Sequence, residues 1–494
     1  MRLDKRLNRD NLQIQQLFFI ECWSSLASRN NIDSDRVTYN NPLTAVEELL
    51  EIYLLGDKYR ASSKRRHVMT ELAEMLELDP CLQDPIFEYI PNQILALLKK
   101  QPNGQRDLAS LENKKALMVS FLTQLQGLIK KNYRDIAIQK LNYFLLEQQE
   151  FNENVCDDIY YITNMLISIL LTLGMPLSEC YLLYKNYLMK REGGFETNFQ
   201  TFIGKVNQIH RPITISLKLI SERLYSLIGT SGNKIEFRNC HFVLIEHPNK
   251  NTVAVNIDVE AISFSAARFK AEQDLNNSLD IIAYMMGRDD IQTVKRYSAN
   301  LKDTQGNVIE SKDLPNFDQS LGNASDRLGL KEFELYVNTM SRLHQNADNQ
   351  TINKINSTFR FFRNSVTDNT AESRFTAFWS ALESLTLGVS EDSLSHDEHV
   401  IHSVLPSIGL DYPVKQLFAL RGVAKALGWK EFTHGQLAID FKTANLGDIY
   451  ESLKNPDVVI ELHQRLEAYP YADYRFGKFI SICDSPYKIG VKIQ

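Results

Sequence analysis

The chain has 494 residues, 44% of them hydrophobic and 23% charged, with only 14 prolines and 21 glycines, which excludes a disordered or low-complexity protein and leaves room for about three domains with sizeable cores. A formal net charge of −6 gives no global attraction to nucleic acid, so any RNA contact has to come from a local basic patch. Cys22, Cys81, Cys156, Cys180, Cys240 and Cys483 form no C-x-x-C pair, which argues against a zinc ribbon or disulfide framework and fits a reducing, cytoplasmic compartment.

Residues 1–230 are expected to be a helical region that senses or regulates. The N-terminus has no apolar h-region and predicts no secretory signal. Asn41-Pro42 starts a helix with an apolar stripe at Leu43, Val46, Leu49, Leu50 and Tyr53. Further helices are predicted along VMTELAEMLEL, NQILALLKK, ALMVSFLTQLQGLIKK, RDIAIQKLNYFLLEQQEF, CYLLYKNYLMK and ITISLKLISERLYSLIG. The apolar run Tyr160 to Pro176 carries Asn164 and several hydroxyls and is shorter than the ~20 apolar residues of a spanning helix. It reads as a buried core helix, and no membrane contact is expected.

In YRASSKRRH, Lys58, Arg60, Lys64, Arg65 and Arg66 cluster beside Tyr59 and His67, a composition that suits phosphate contacts in RNA as well as a solvated helix start. Arg60 and His67 also have a spacing usable in RNA cleavage, as any basic run throws up readily.

Residues 231–312 are expected to form a small α+β module. KIEFRNCHFVLIE and the alternating Val253, Val255, Ile257 and Val259 predict a hairpin, followed by a helix and a weaker second hairpin. A polar stretch with Pro315 then leads into a helical domain over 313–494. Ile352, Ile355, Phe359, Phe362 and Val366 trace one helix face there. Phe375, Phe378, Trp379, Leu382 and Leu385 trace another at i, i+3, i+4, i+7 and i+10, the spacing of a buried face. Glu383 inside that helix has to stay at its edge or find a partner.

The wording RF…W.ALE.L, carried by Arg374, Phe375, Trp379 and Glu383 and preceded by NKINSTFRFFRNSV, resembles the Apea-like branch of the HEPN family. The resemblance implies a mainly α protein ending in a HEPN-like helical bundle. It further implies a metal-independent endoribonuclease of anti-phage (abortive infection) defence, with no cofactor, acting on tRNA or mRNA as a homodimer. A phage-derived or host protein would serve as trigger. Arg374, Trp379 and Glu383 would carry the family motif, with Arg374 and Glu383 as structural or dimer-facing residues of the bundle and not the catalytic pair.

Metal-free RNA cleavage needs an imidazole to take the 2′-hydroxyl proton and a guanidinium to steady the phosphate charge. The family places them four to six residues apart, and no such pair follows residue 313. His434 and Arg421 are the candidates left, thirteen positions apart in the numbering. This departure favours the alternative of a non-catalytic RNA- or protein-binding and dimerisation module. His396, His399 and His402 share a helical spacing with Asp397 and Glu398, so a metal site is conceivable, but the H-E-x-x-H order is absent and no metal is expected. Phosphate-binding glycine loops and G-x-S-x-G are absent too, which excludes P-loop hydrolases, dinucleotide oxidoreductases and α/β-hydrolases.

Overall fold

Helix α1 (Ile14–Leu26) carries apolar or small residues on every side, and such a helix has to be buried all round. In the computed structural model every residue from Gln15 to Leu26 is buried. The structure describes residues 3–28, 31, 35–55, 61–98, 114–190, 192–245, 251–286, 291–302, 305–314, 330–367, 371–386, 396–429, 432–434 and 437–483.

After α1 come α2 (Pro42–Leu55), α3 (Ala61–Leu78), α4 (Tyr89–Leu97), α5 (Lys115–Asn142), α6 (Glu153–Thr172), α7 (Leu177–Leu183) and α8 (Gly194–Val206). Helix α1 packs on α6, and α5 touches α2, α4 and α6. Edge-to-face rings tie α1 to α8: Trp23 to Phe202 at 4.7 Å and Phe19 to Phe199 at 5.5 Å, a geometry favoured by the ring quadrupole.

Helix α6 alone among the described residues is long and apolar enough to cross a membrane, and 67% of its apolar window is buried in this fold. Its polar residues have local work. Asn164 Nδ2 donates to Thr38 Oγ1 at 2.9 Å, and Ser168 Oγ accepts from Asn41 Nδ2 at 3.0 Å. Both bonds tie α6 to the turn that starts α2.

A six-stranded sheet follows: β1 (Arg211–Ile220), then α9 (Glu222–Thr230), β2 (Lys234–Phe237), β3 (Cys240–Ile245), β4 (Thr252–Ala261), α10 (Phe264–Met286), β5 (Gln292–Lys302) and β6 (Val308–Leu314). The strand order is β2-β3-β4-β1-β5-β6, with every neighbouring pair antiparallel. Ile215 lies opposite Ile257 on one side and Ala299 on the other. The buried face of β1 and β4, which includes Ile213, Leu217, Val253 and Val255, lies on the side packed by α9 and α10. The opposite face is polar, as expected where an antiparallel sheet meets water.

The remaining elements are α11 (Leu330–Asn346), α12 (Asn349–Thr367), α13 (Ala371–Thr386), α14 (His396–Leu427), β7 (Phe432–His434), β8 (Leu437–Ile439), α15 (Leu446–Ser452), α16 (Pro456–Leu466) and α17 (Pro470–Cys483). Contacts divide the chain into two units. One comprises 1–315 with 460–476, the other 316–459 with 477–494. In the second unit α12 packs along α13, with Phe362 edge-on to Phe378 at 5.7 Å, while α14 touches α13 and α15.

The expected fold class needs correction. The chain is rich in helix, but the sheet is larger than the anticipated module, because ITISLKLI forms its strand β1 instead of opening a helix. The expected C-terminal HEPN-like helical bundle is not what the described residues form. The α13 face meant for its core leaves Phe375 69% and Leu385 49% exposed. A small hairpin, β7 with β8, intervenes, and 460–476 group with the first unit.

Candidate functional site

Between α11 and α12 lies an open groove of roughly 420 Å³ lined by Tyr336, Val337, Met340, Ser341, His344 and Phe359. Five of these residues come from α11 at i, i+1, i+4, i+5 and i+8, which places them on one side of that helix. Phe359 of α12 closes the other side. Tyr336 is 44% and Phe359 46% exposed, so two rings and an imidazole face open space.

The electrostatics of α12 set it apart. Its sequence, NQTINKINSTFRFFRNSVT, contains Lys354, Arg360 and Arg363 and no acidic residue, in a chain whose net charge is −6. Arg360 and Arg363 are exposed and Lys354 is half-buried. Asp348, just before the helix, is committed to its start: Oδ1 accepts from the Thr351 N–H at 2.7 Å, and the Thr351 contacts hold its carboxyl below the usual range. Cations beside accessible rings can neutralise phosphates and stack bases.

The residues singled out from sequence fall elsewhere. Lys58 and Arg60 lie outside the described residues, and Lys64 and Arg66 lie on α3. Arg65 is 3% exposed, its guanidinium 5.7 Å from the centre of the Tyr53 ring, so it is a packing residue. His67 is exposed on α3.

Trp379 stacks on Phe375 at 6.3 Å and donates its indole N–H to Glu383 Oε1 at 2.8 Å, a polar contact for that carboxylate one turn away. Arg374 is half-buried on the same helix. Arg421 Nη2 donates to the Ala444 carbonyl at 2.6 Å, and its guanidinium lies 5.5 Å from the Phe418 ring centre. It therefore braces the segment after β8. His434 lies on β7.

His396 opens α14, His399 Nε2 is 2.6 Å from the Thr386 carbonyl, and His402 is exposed. Among the described residues no group of three or more His, Cys, Asp or Glu is placed to hold a metal ion.

Two features escaped sequence reasoning. The first is the groove, whose signal was the i, i+4, i+8 recurrence of Tyr336, Met340 and His344. The second is the contact of His463 Nδ1 with Asp473 Oδ1 at 2.6 Å, made across the turn between α16 and α17. His463 lies in the last turn of α16 and Asp473 in the first turn of α17, so the contact joins the end of one helix to the start of the next. The pair therefore has a sufficient explanation as a staple of that corner. Compared with protein-family models, curated proteins and solved structures, the chain finds no significant match.

Proposed function

We propose that the chain is a non-catalytic RNA-binding protein whose contact with single-stranded RNA is the α11–α12 groove. The observation that carries this reading is the pairing of accessible Tyr336 and Phe359 rings with an acid-free, triply cationic helix in an acidic chain. Stacking on such rings is tolerant of sequence because every base has a π-face, and it is worth about 1–3 kcal/mol per base. The groove's size is that of a site for a small ligand or a few stacked atoms of a larger one, on the usual scale of about 300–1,000 Å³. Cleavage is not part of the reading, because the chain after residue 313 lacks an Arg and His at the required spacing. A metal-independent nuclease acting in the cytoplasm against phage is a narrower proposal, supported by the resemblance of Arg374 to Gly388 alone.

The test is incubation of the purified chain with labelled single-stranded RNA in EDTA, read by anisotropy and then by gel. Saturable, salt-sensitive binding with intact RNA is the expected result. Fragments ending in 2′,3′-cyclic phosphate would replace this reading with the nuclease, and no binding at low salt would remove both.

A second reading, self-association, has its own observation. Phe375, Leu382 and Leu385 lie on one side of α13 and are 69%, 37% and 49% exposed, and large contiguous apolar patches on monomers mark interaction sites. Homodimer formation through α13 is compatible with RNA binding by the groove.

A further inference from the structure

The strand order leaves β2 and β6 at the two edges of the six-stranded sheet. An edge strand presents a row of unpaired backbone N–H and C=O groups, a template for pairing with another chain, and one safeguard against this is to keep the strand very short. Strand β2 follows that rule with four residues. Strand β6 does not: Val308–Leu314 runs for seven, roughly 23 Å at about 3.3 Å per residue. Among the described residues β6 pairs with β5 alone, and each residue from Val308 to Asp313 is exposed, Val308 by 55% and Ile309 by 65%.

Two other safeguards are present, and neither closes this edge. A bulge shifts the β5–β6 register between Leu301 and Lys302, but it lies at the Val308 end and leaves Glu310 to Leu314 in unbroken pairing with Leu301 to Tyr297. Glu310, Lys312 and Asp313 stand along the strand, and charge on an edge ordinarily guards against a second strand. Here the order of the charges makes one exception. When VIESKDL lies antiparallel to a copy of itself about Ser311, Glu310 of each strand falls opposite Lys312 of the other, and Val308 falls opposite Leu314. Glu310 and Lys312 are two residues apart and share a face, so the two ion pairs stand side by side. Centred on Glu310 or on Lys312 instead, self-pairing sets Glu against Glu or Lys against Lys. Centred between Ser311 and Lys312 it sets Glu310 against Asp313, and centred between Glu310 and Ser311 it brings no charges together. Opposite charges directly across antiparallel strands are favourable and like charges are not, so one register of self-pairing is favoured over its neighbours.

We infer that β6 is a self-association edge, at which a second copy of this chain adds its own β6 antiparallel about Ser311 and joins the two sheets into one. The occupant is set by charge, because the Glu-Ser-Lys order is complementary to itself. The contact is isologous and closes as a dimer. It uses a surface other than α13 and depends neither on association through that helix nor on RNA binding.

The experiment is sedimentation equilibrium of the chain carrying Phe375→Asp, which removes association through α13. The expected result is a dimer. Adding Glu310→Lys or Lys312→Glu sets like charges opposite each other at both ion pairs and weakens the dimer at least about tenfold. An equimolar mixture of the two variants restores it, because the lysines of one strand then face the glutamates of the other. Lys312 also opposes the burial that raises the pKa of Glu179, so Lys312→Glu disturbs that neighbour as well; restoration by mixing is a result that a misfolded variant does not give. A Phe375→Asp chain that stays monomeric overturns the inference and leaves the edge to a strand of another protein. So does a single variant that dimerises as tightly as its parent, or a mixture no more associated than its two components.

Discussion

Replacing Phe359 by alanine removes one of the two rings that face the α11–α12 groove and leaves the charges of α12 in place. One lost base stack weakens RNA binding by about 1–3 kcal/mol, or roughly 5- to 150-fold at about 1.4 kcal/mol per decade. Because the ring is 46% exposed, the change should cost about half of the ~3–5 kcal/mol of a fully buried phenylalanine, and the fold should survive. Arg360→Ala makes the complementary change. It removes one exposed cation, so the slope of log K against log salt should fall by about 0.7 for a single strand, with the Phe359→Ala slope unchanged. The assay is anisotropy of a labelled single-stranded RNA oligonucleotide across about 50–200 mM salt, with urea denaturation of each variant alongside. If Phe359→Ala binds within twofold of the parent while remaining folded, the rings do not stack bases and the groove is not the interface. If both variants change only the salt slope, binding is by charge alone.

Phe375→Asp should abolish self-association through α13, so sedimentation that gives the same mass for parent and variant would refute that reading. Arg475→Ala leaves the buried Asp35 carboxylate without its ion-pair partner and should cost about 3–5 kcal/mol in urea denaturation, with the double change Asp35→Leu, Arg475→Met recovering most of it; no recovery would mean that packing, and not charge, holds residues 460–476 in the first unit. Stability should also rise on mild acidification. Burial pushes Glu21 up to about 7 against the opposing pull of Arg9, and burial pushes Asp79 up to about 6 although Tyr133 donates to it. A carboxyl with a raised folded-state pKa contributes stability that is complete below its unfolded value, near 4.5 for Glu21, and is lost as pH climbs through 7. The Glu21 effect alone amounts to about 3 kcal/mol between those limits. Urea midpoints measured from pH 7.5 down to 5.5 should increase for the parent and flatten in Glu21→Gln, and a parent midpoint that falls over this range would contradict the assignment.

The N-terminal helices were legible because their apolar residues recur with the helical period over long stretches, and α6 was recognisable as a core helix from Asn164 and its several hydroxyls, although the partners Thr38 of Asn164 and Asn41 of Ser168 come together with them only in three dimensions. Strand β1 was not legible for a specific reason. In ITISLKLI the pairs Ile213 with Leu217 and Ile215 with Leu219 satisfy an i, i+4 helical template while the same residues satisfy strict alternation, so a short segment fits both periods. What decides between them is the register of Ile215 against Ile257 and Ala299, pairing that lies far away in sequence and that local pattern does not contain. The β4 segment lacked this ambiguity, since Val253, Val255, Ile257 and Val259 alternate with Ala254, Asn256, Asp258 and Glu260.

Helix α13 marks the limit of periodicity in a different way. The spacing of Phe375, Phe378, Trp379, Leu382 and Leu385 states which residues share a face, and the face is there. It says nothing about whether the cover comes from the same chain, and with Phe375 69% exposed the described residues do not supply it. The same distinction applies to charge. The basic run around Arg65 was conspicuous because its cations are adjacent in sequence, yet Arg65 is buried against Tyr53. The cations of α12 are spaced three to six residues apart and drew no attention, although Arg360 and Arg363 stand one helical turn apart and both reach solvent. Adjacent residues on a helix point about 100° apart, so clustering in sequence disperses charge around the helix, while spacing by three or four concentrates it on one side. A search for interfaces in helical proteins should therefore count cations and rings by helical neighbourhood, and by that count α12 precedes the run at residues 58–66.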